Sequence, residues 1–169
     1  MELRNIWRGF KFTGLAQSIG ELSRRWHRLI SGFFEKRKSR PGIARHLALG
    51  SRGEDLAAHF LRRNGYKILY RNFQSRRGGE IDIVCRDRRA NVLVFVEVKS
   101  KTTDLFGPPR EAVNFVKQKR IIRAAKEWLR LLDRPDVAYR FDIVEIVFTP
   151  QPRCHLIRSA FSIPEDIYH

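Results

Sequence analysis

Asp82, Glu97 and Lys99 are charged residues set inside two apolar, β-prone runs, Gly79-Glu80-Ile81-Asp82-Ile83-Val84 and Val94-Phe95-Val96-Glu97-Val98-Lys99. A charge in a buried strand costs several kcal/mol unless it is paired or binds a metal. Two carboxylates can hold a hard divalent cation through oxygen. Such a cation polarises a phosphate and lowers the pKa of a water. An ammonium beside it can orient that water or stabilise charge in the transition state. Phosphodiester hydrolysis needs this set of groups, and the carbonyl between Glu97 and Val98 is a further donor. The plainer alternative is an exposed carboxylate–lysine pair across two strands with no metal. The Ile, Val and Phe neighbours point instead to central, buried strands.

Positioning these groups requires a hairpin. Tyr66 to Phe73 reads as a first strand, Arg76-Arg77-Gly78-Gly79 as a turn, and Glu80 to Arg86 as a second strand. Asp87 to Asn91 closes the hairpin onto a third strand, Val92 to Lys99. Side chains alternate along a strand. Glu80, Asp82 and Val84 therefore share one face, and Ile81, Ile83 and Cys85 the other. Glu97 and Lys99 share a face with Leu93 and Phe95, opposite Val92, Val94, Val96 and Val98. Side by side, the two strands bring Asp82 toward Glu97, with Lys99 one step along.

Helices flank these strands. Leu49, Gly53, Leu56, Ala57, Phe60 and Leu61 mark one helical face, stopped by Asn64-Gly65. At about 100° per residue, Glu54 falls on the rim of that face, where it either meets solvent or reaches over a sheet edge; Asp55 points away. Gly107-Pro108-Pro109 breaks the chain before a long helix, roughly Glu111 to Leu132. Its apolar positions are Val113, Val116, Ile121, Ala124, Ala125, Trp128 and Leu132. Lys117, Lys119 and Arg123 lie among its basic residues, and this face either meets phosphates, together with Arg76 and Arg77 of the turn, or is simply solvated. Arg140 to Phe148 is a fourth strand and Cys154 to Ile157 a short fifth. Asp142 is a further acid in an apolar strand, with no position relative to the site that spacing can supply.

The 169 residues accommodate one domain and an extension. With 34 basic and 18 acidic residues the net charge is +16, which favours a polyanion, nucleic acid or an anionic membrane surface. Residues 1–45 hold eleven Lys or Arg against three Glu. In them Ile19, Leu22, Trp26, Leu29 and Phe33 follow helical spacing among basic residues, an amphipathic helix suited to a membrane surface through residues 1–38, to nucleic acid or to packing on the domain. Such an Arg-rich start also resembles an organelle transit peptide, while no secretory signal is evident. Ser39-Arg40-Pro41-Gly42 reads as a linker, and residues 46–169 as the domain. Cys85 and Cys154 form no Cys-x-x-Cys pair, so neither a disulfide framework nor a zinc ribbon is indicated, and a reducing cytoplasm fits. No apolar run reaches transmembrane length. No phosphate-binding glycine loop, Gly-x-Ser-x-Gly elbow or histidine metal spacing is present.

Six segments fall in order with a spacing that resembles the YraN-type family of bacterial proteins. They are Gly53-Glu54-Asp55-Leu56-Ala57, Gly65-Tyr66, Arg71-Asn72, Gly79-Glu80-Ile81-Asp82, Phe95-Val96-Glu97-Val98-Lys99 and Lys117-Gln118-Lys119; the later Arg140-Phe141-Asp142-Ile143-Val144 also matches. The resemblance covers residues 46–169. It implies a restriction-endonuclease-like, PD-(D/E)XK, α/β fold, similar to archaeal Holliday-junction resolvases: a central mixed sheet of four to five strands flanked by helices. It assigns Asp82 and Glu97 as metal ligands, Lys99 as the lysine ending the motif, and Glu54 as the helix glutamate that completes the metal site. It also sets Gln118 near the phosphate or water. Ile81 stands where the motif's name has proline. The implied activity is a Mg²⁺- or Mn²⁺-dependent endonuclease acting on DNA, branched DNA included, in repair or recombination, with a homodimer left open. A binding module that keeps the fold without the chemistry is the alternative.

Overall fold

The computed structural model describes residues 44–101, 113–132 and 136–163. The expected N-terminal amphipathic helix, its linker and the Gly107-Pro108-Pro109 break lie outside them.

Helix α1, Ala44–Arg63, ends at Asn64-Gly65. Asn64 Nδ2 donates back to the Phe60 carbonyl at 2.8 Å, and Gly65 takes φ +89°, a left-handed conformation that glycine adopts without strain. Strand β1, Tyr66–Gln74, pairs antiparallel with β2, Glu80–Asp87. The turn between them docks on the second helix. Gly79 stands at φ +119°, and a Cβ there would lie 2.3 Å from the Arg120 carbonyl oxygen. The β2–β3 hairpin is closed by Asp87, whose Oδ1 accepts the Arg89 and Ala90 backbone N–H groups at 3.0 and 3.1 Å. Strand β3, Val92–Lys101, then pairs parallel with β4, Tyr139–Val147. A parallel pair needs a crossover, and helix α2, Phe115–Leu131, lies in that connection. Asn114 caps α2, its side chain accepting the Lys117 N–H at 2.9 Å.

The five strands form one mixed sheet in the order β1-β2-β3-β4-β5, with β3 central. Strand β5, Arg153–Phe161, pairs antiparallel with β4 and is longer than the expected Cys154 to Ile157. Of its five additional positions Arg153, Arg158 and Ser159 are exposed, and the last two of these polar residues separate the partly buried Ala160 and Phe161 from the expected apolar run. Ala57, Ala58 and Leu61 of α1 pack with Ile83, Cys85, Val94, Val96, Val144 and Ile146. On the other face Ile121, Ala124, Ala125 and Trp128 of α2 pack with Val84, Leu93, Phe95, Phe141 and Ile143. The alternation expected for β3 holds throughout. Gly53 lets α1 approach β3 closely, since a Cβ on it would lie 2.1 Å from Ser100 Oγ.

Two apolar residues depart from expectation. Ile81 packs in the α2 cluster rather than beside Ile83 and Cys85. The paired β2–β3 register ends at Ile83–Val96, so the residues before it leave the sheet's regular alternation. Val116, expected at an apolar packing position, is 61% exposed beside the equally outward Phe115. No helix among the described residues is long and apolar enough to cross a membrane.

Candidate active site

The β2–β3 ladder opens where the acids stand. Ile83 pairs with Val96, so Asp82 and Glu97 are the next positions along. Here a side chain takes over the backbone's work: Asp82 Oδ2 accepts the Val98 N–H at 2.7 Å. Glu97 is buried on β3. Lys99, two residues on and therefore on the same face, brings Nζ to 3.2 Å from Glu97 Oε1. Lys117, in the first turn of α2, reaches down from the other side, 3.3 Å from Glu97 Oε2 and 2.7 Å from Glu80 Oε1. Glu97 Oε2 is buried and makes no hydrogen bond.

The carboxylates repel one another. Burial, then the charge of Glu97, and more weakly that of Glu54, push Asp82 up to about 7, against the opposing Val98 N–H and Lys117. Burial alone would lower Lys117, but the Glu80 hydrogen bond and the charges of Glu97, Glu80 and Asp82 leave it raised. A site that holds an acid partly protonated at neutral pH is short of positive charge. That deficit fits a divalent cation, and carboxylate oxygens are the donors such a cation prefers. The oxygens are not gathered, however. Among the described residues no group of three or more His, Cys, Asp or Glu side chains is assembled to hold a metal. Both Glu97 oxygens face lysines instead.

Glu54 comes from α1 and lies close enough to raise Asp82. It is partly buried, with Arg71 Nη2 at 3.6 Å, while the exposed Asp55 takes Arg71 Nη1 at 2.8 Å. Gln118 does not turn to the acids; its amide donates to the Val113 carbonyl at 2.9 Å. The α2 side chain that reaches them is Lys117, expected from sequence only as a phosphate contact. Arg76 and Arg77 are exposed on the β1–β2 turn. Arg123 Nη1 bonds the Arg77 carbonyl at 3.2 Å, so the turn and α2 form one basic rim. Lys119 is exposed on the same helix.

Two acids have places that spacing did not supply. Asp142 stands beside Val96 in the parallel register, on the face opposite Glu97. There it accepts Arg140 Nε and the Ser159 N–H, both at 3.0 Å, and Arg140 also binds Asp87 and Tyr66. Glu145 stands beside Lys99. It is fully buried and pairs with Lys101 Nζ at 2.9 Å, its Oε2 lacking a hydrogen bond. The signal for Glu145 lay in Phe141, Ile143 and Glu145 alternating together, but a face can be assigned only once the β3–β4 register is known.

Residues 53–146 match the family described as "Uncharacterised protein family UPF0102". A UPF0102 protein of Geobacter metallireducens is 48% identical over 117 residues, covering 69% of this chain and 93% of its own. One from Rhodococcus opacus is 46% identical over 121 residues, covering 70% and 100%. One from Chloroherpeton thalassium is 40% identical over 124 residues, covering 73% and 90%.

Proposed function

The chain belongs to the UPF0102 family, and on that premise we propose that it is a Mg²⁺- or Mn²⁺-dependent endonuclease hydrolysing DNA phosphodiester bonds. The observation that carries the reading is the meeting of Asp82 and Glu97 where the β2–β3 ladder opens, with Lys99 on the Glu97 carboxylate. In this reading Asp82 and Glu97 hold the cation and Glu54 supports it. When bound, the cation supplies Lewis-acid polarisation of the phosphate and acidifies water at the site. Lys99, held on Glu97, orients the nucleophile. With a cation held by Asp82 and Glu97, Lys117, which pairs with Glu97 and Glu80, would be left to contact phosphate. Arg76, Arg77, Lys119 and Arg123 take flanking phosphates, which would make binding strongly salt-dependent.

Cleavage of labelled four-way junction, flap, single-stranded and duplex DNA, with Mn²⁺ and with chelator, tests this for wild type beside Lys99→Ala. Metal-dependent product from wild type alone is the expected result. Product that survives Lys99→Ala or the chelator would refute it.

One observation favours a second reading, a nucleic-acid-binding adaptor without chemistry: Glu97 already has a lysine on each oxygen. Binding that ignores divalent cations, with no product from any substrate, would establish it. We also propose a cytoplasmic setting, which suits the free thiols of Cys85 and Cys154. A homodimer would let two strands be cut together. Contact of residues 1–38 with an anionic membrane is tested by liposome flotation of the full chain against a chain starting at His46; equal flotation would dismiss it.

A further inference from the structure

The first turn of α2 presents two faces with different chemistry. Inward, Lys117 meets Glu80 and Glu97. Outward, Phe115 is 53% and Val116 61% exposed, the large exposed hydrophobics of the described chain. Scattered exposed apolar residues need no explanation, but this aromatic is set among cations. Lys119 Nζ lies 4.3 Å from the Phe115 ring centroid, and Arg120 and Arg123 follow on the exposed side of the same helix. A partner that is anionic and also offers flat apolar faces would satisfy both halves of the patch. Nucleic acid is such a partner, and only unpaired or splayed bases expose their faces to an aromatic side chain. Paired bases in a duplex hide them.

We propose that Phe115 is a stacking platform for an unpaired nucleobase, flanked by Val116 and Lys119, so that the nucleic acid at the carboxylate–lysine site carries single-stranded nucleotides beside the reacting phosphate. The inference rests on the nucleic-acid reading above and narrows its substrate class. It does not require cleavage. Phe115 and Lys117 lie in the same first turn of α2 but about 200° apart around its axis, so a strand whose phosphate lies at Lys117 must round the helix end to meet the ring. Lys119, over the ring, neutralises the next phosphate and holds the phenyl in place.

The test is binding by the full chain in chelator, so that loss of chemistry does not enter. An oligonucleotide containing 2-aminopurine is used single-stranded and as a duplex, with wild type, Phe115→Ala and Phe115→Trp. Wild type should change the probe's emission on binding the single strand, as stacking does, and Phe115→Ala should abolish that change. Phe115→Ala should also weaken single-strand binding about tenfold and duplex binding less than twofold, with Phe115→Trp restoring the wild-type preference. Equal losses on both forms, or none on either, would overturn the platform while leaving the nucleic-acid reading intact. No binding of either form would overturn both. A change of oligomeric state in Phe115→Ala by size-exclusion chromatography would overturn it in favour of a second copy of the chain covering the ring. A fall in melting temperature without nucleic acid, with unchanged binding preference, would assign the ring to the protein's own packing.

Discussion

The Asp82 carboxylate accepts the Val98 backbone N–H at 2.7 Å, doing for β3 what a backbone carbonyl of β2 would otherwise do. One residue thus ends the ladder and aims a carboxylate at the open edge. The same acid is pushed up to about 7 by burial and by the charge of Glu97. Structure and chemistry at this position separate by substitution. Asp82→Asn keeps an oxygen for the Val98 N–H and removes the repulsion, so it should unfold in urea at or above the wild-type midpoint. Asp82→Ala leaves the N–H without a partner and should lose about 1–3 kcal/mol. Both should abolish metal-dependent cleavage. Equal stabilities for the two variants would show that the hydrogen bond contributes nothing.

The β1–β2 turn is held by a glycine that packing demands. A Cβ on Gly79 would press into the Arg120 carbonyl oxygen, and its φ of +119° is one that L-residues rarely adopt. Gly78, at φ +76°, would put its Cβ no nearer than 4.0 Å to Arg123 Nη1. Gly79→Ala should therefore cost more than Gly78→Ala, for which about 1–2 kcal/mol of left-handed backbone cost is expected. Thermal unfolding of both variants checks the order. Gly79→Ala should also lift Arg76 and Arg77 off the α2 rim and weaken DNA binding.

What could be read before the fold was known follows from distance along the chain. Asp82, Glu97 and Lys99 share one hairpin, where period-two alternation and a short connection suffice to bring them together. Glu145 and Lys117 depend on the β3–β4 parallel register and on the docking angle of α2, and both are decided across a long crossover. Strict alternation puts Ile81 with Ile83 and Cys85, because it assumes a continuous ladder, and the β2–β3 pairing stops at Ile83. Val116 is apolar but, at about 100° per residue, falls on the outward side of α2 with Lys119 and Arg123, away from Ile121, Ala125 and Trp128. Asp142 looked much like Asp82 in sequence, an acid among Phe, Ile and Val. Its partner Arg140, two residues before it, makes it a structural ion pair.

Arg140 also reaches Asp87, Nη2 to Oδ2 at 2.9 Å. Burial raises Asp87, but the Ala90 and Arg89 N–H groups and the Arg140 guanidinium more than offset it and leave the carboxyl below its ordinary value. A carboxyl that is more acidic in the folded state stabilises the fold above its unfolded pKa, about 3.9. That stabilisation is lost as pH falls through the lower folded value. The stability gap between wild type and Asp87→Asn, read by urea unfolding, should be constant near neutrality and close below about pH 4. A gap that persists unchanged at low pH would mean that the charge of Asp87 is not what matters.

Glu145 is fully buried and its cation, Lys101, is partly exposed. Removing one partner of such a pair is not equivalent to removing the other. Lys101→Met strands a buried carboxylate, a loss that reaches about 3–5 kcal/mol for fully buried pairs. Glu145→Gln leaves an ammonium that can turn to water, and should cost less. Replacing both, with Lys101→Met and Glu145→Leu together, should recover most of the loss, since two charges no longer need a buried partner. Chemical denaturation of the three variants checks this ranking; equal losses for the two single variants would refute it.

On the proposed reading, a divalent cation would compete with Lys117 for the same carboxylates. The ammonium lies 3.3 Å from Glu97 Oε2 and is itself raised by the Glu80 hydrogen bond and the charges of Glu97, Glu80 and Asp82. In Lys117→Ala the acids lose this counter-charge while Lys99 keeps its place on Oε1. Without metal the variant should be less stable, by an amount between the about 0–1 kcal/mol of an exposed pair and the about 3–5 kcal/mol of a buried one. Its carboxylates, freed of a competitor, should bind Mn²⁺ more tightly than those of wild type. Stabilisation by a ligand grows with its concentration relative to its dissociation constant. The rise in melting temperature on adding Mn²⁺ should therefore be larger for Lys117→Ala than for wild type, and absent in Asp82→Ala. Equal rises in wild type and Lys117→Ala would mean that the lysine does not stand in the cation's place.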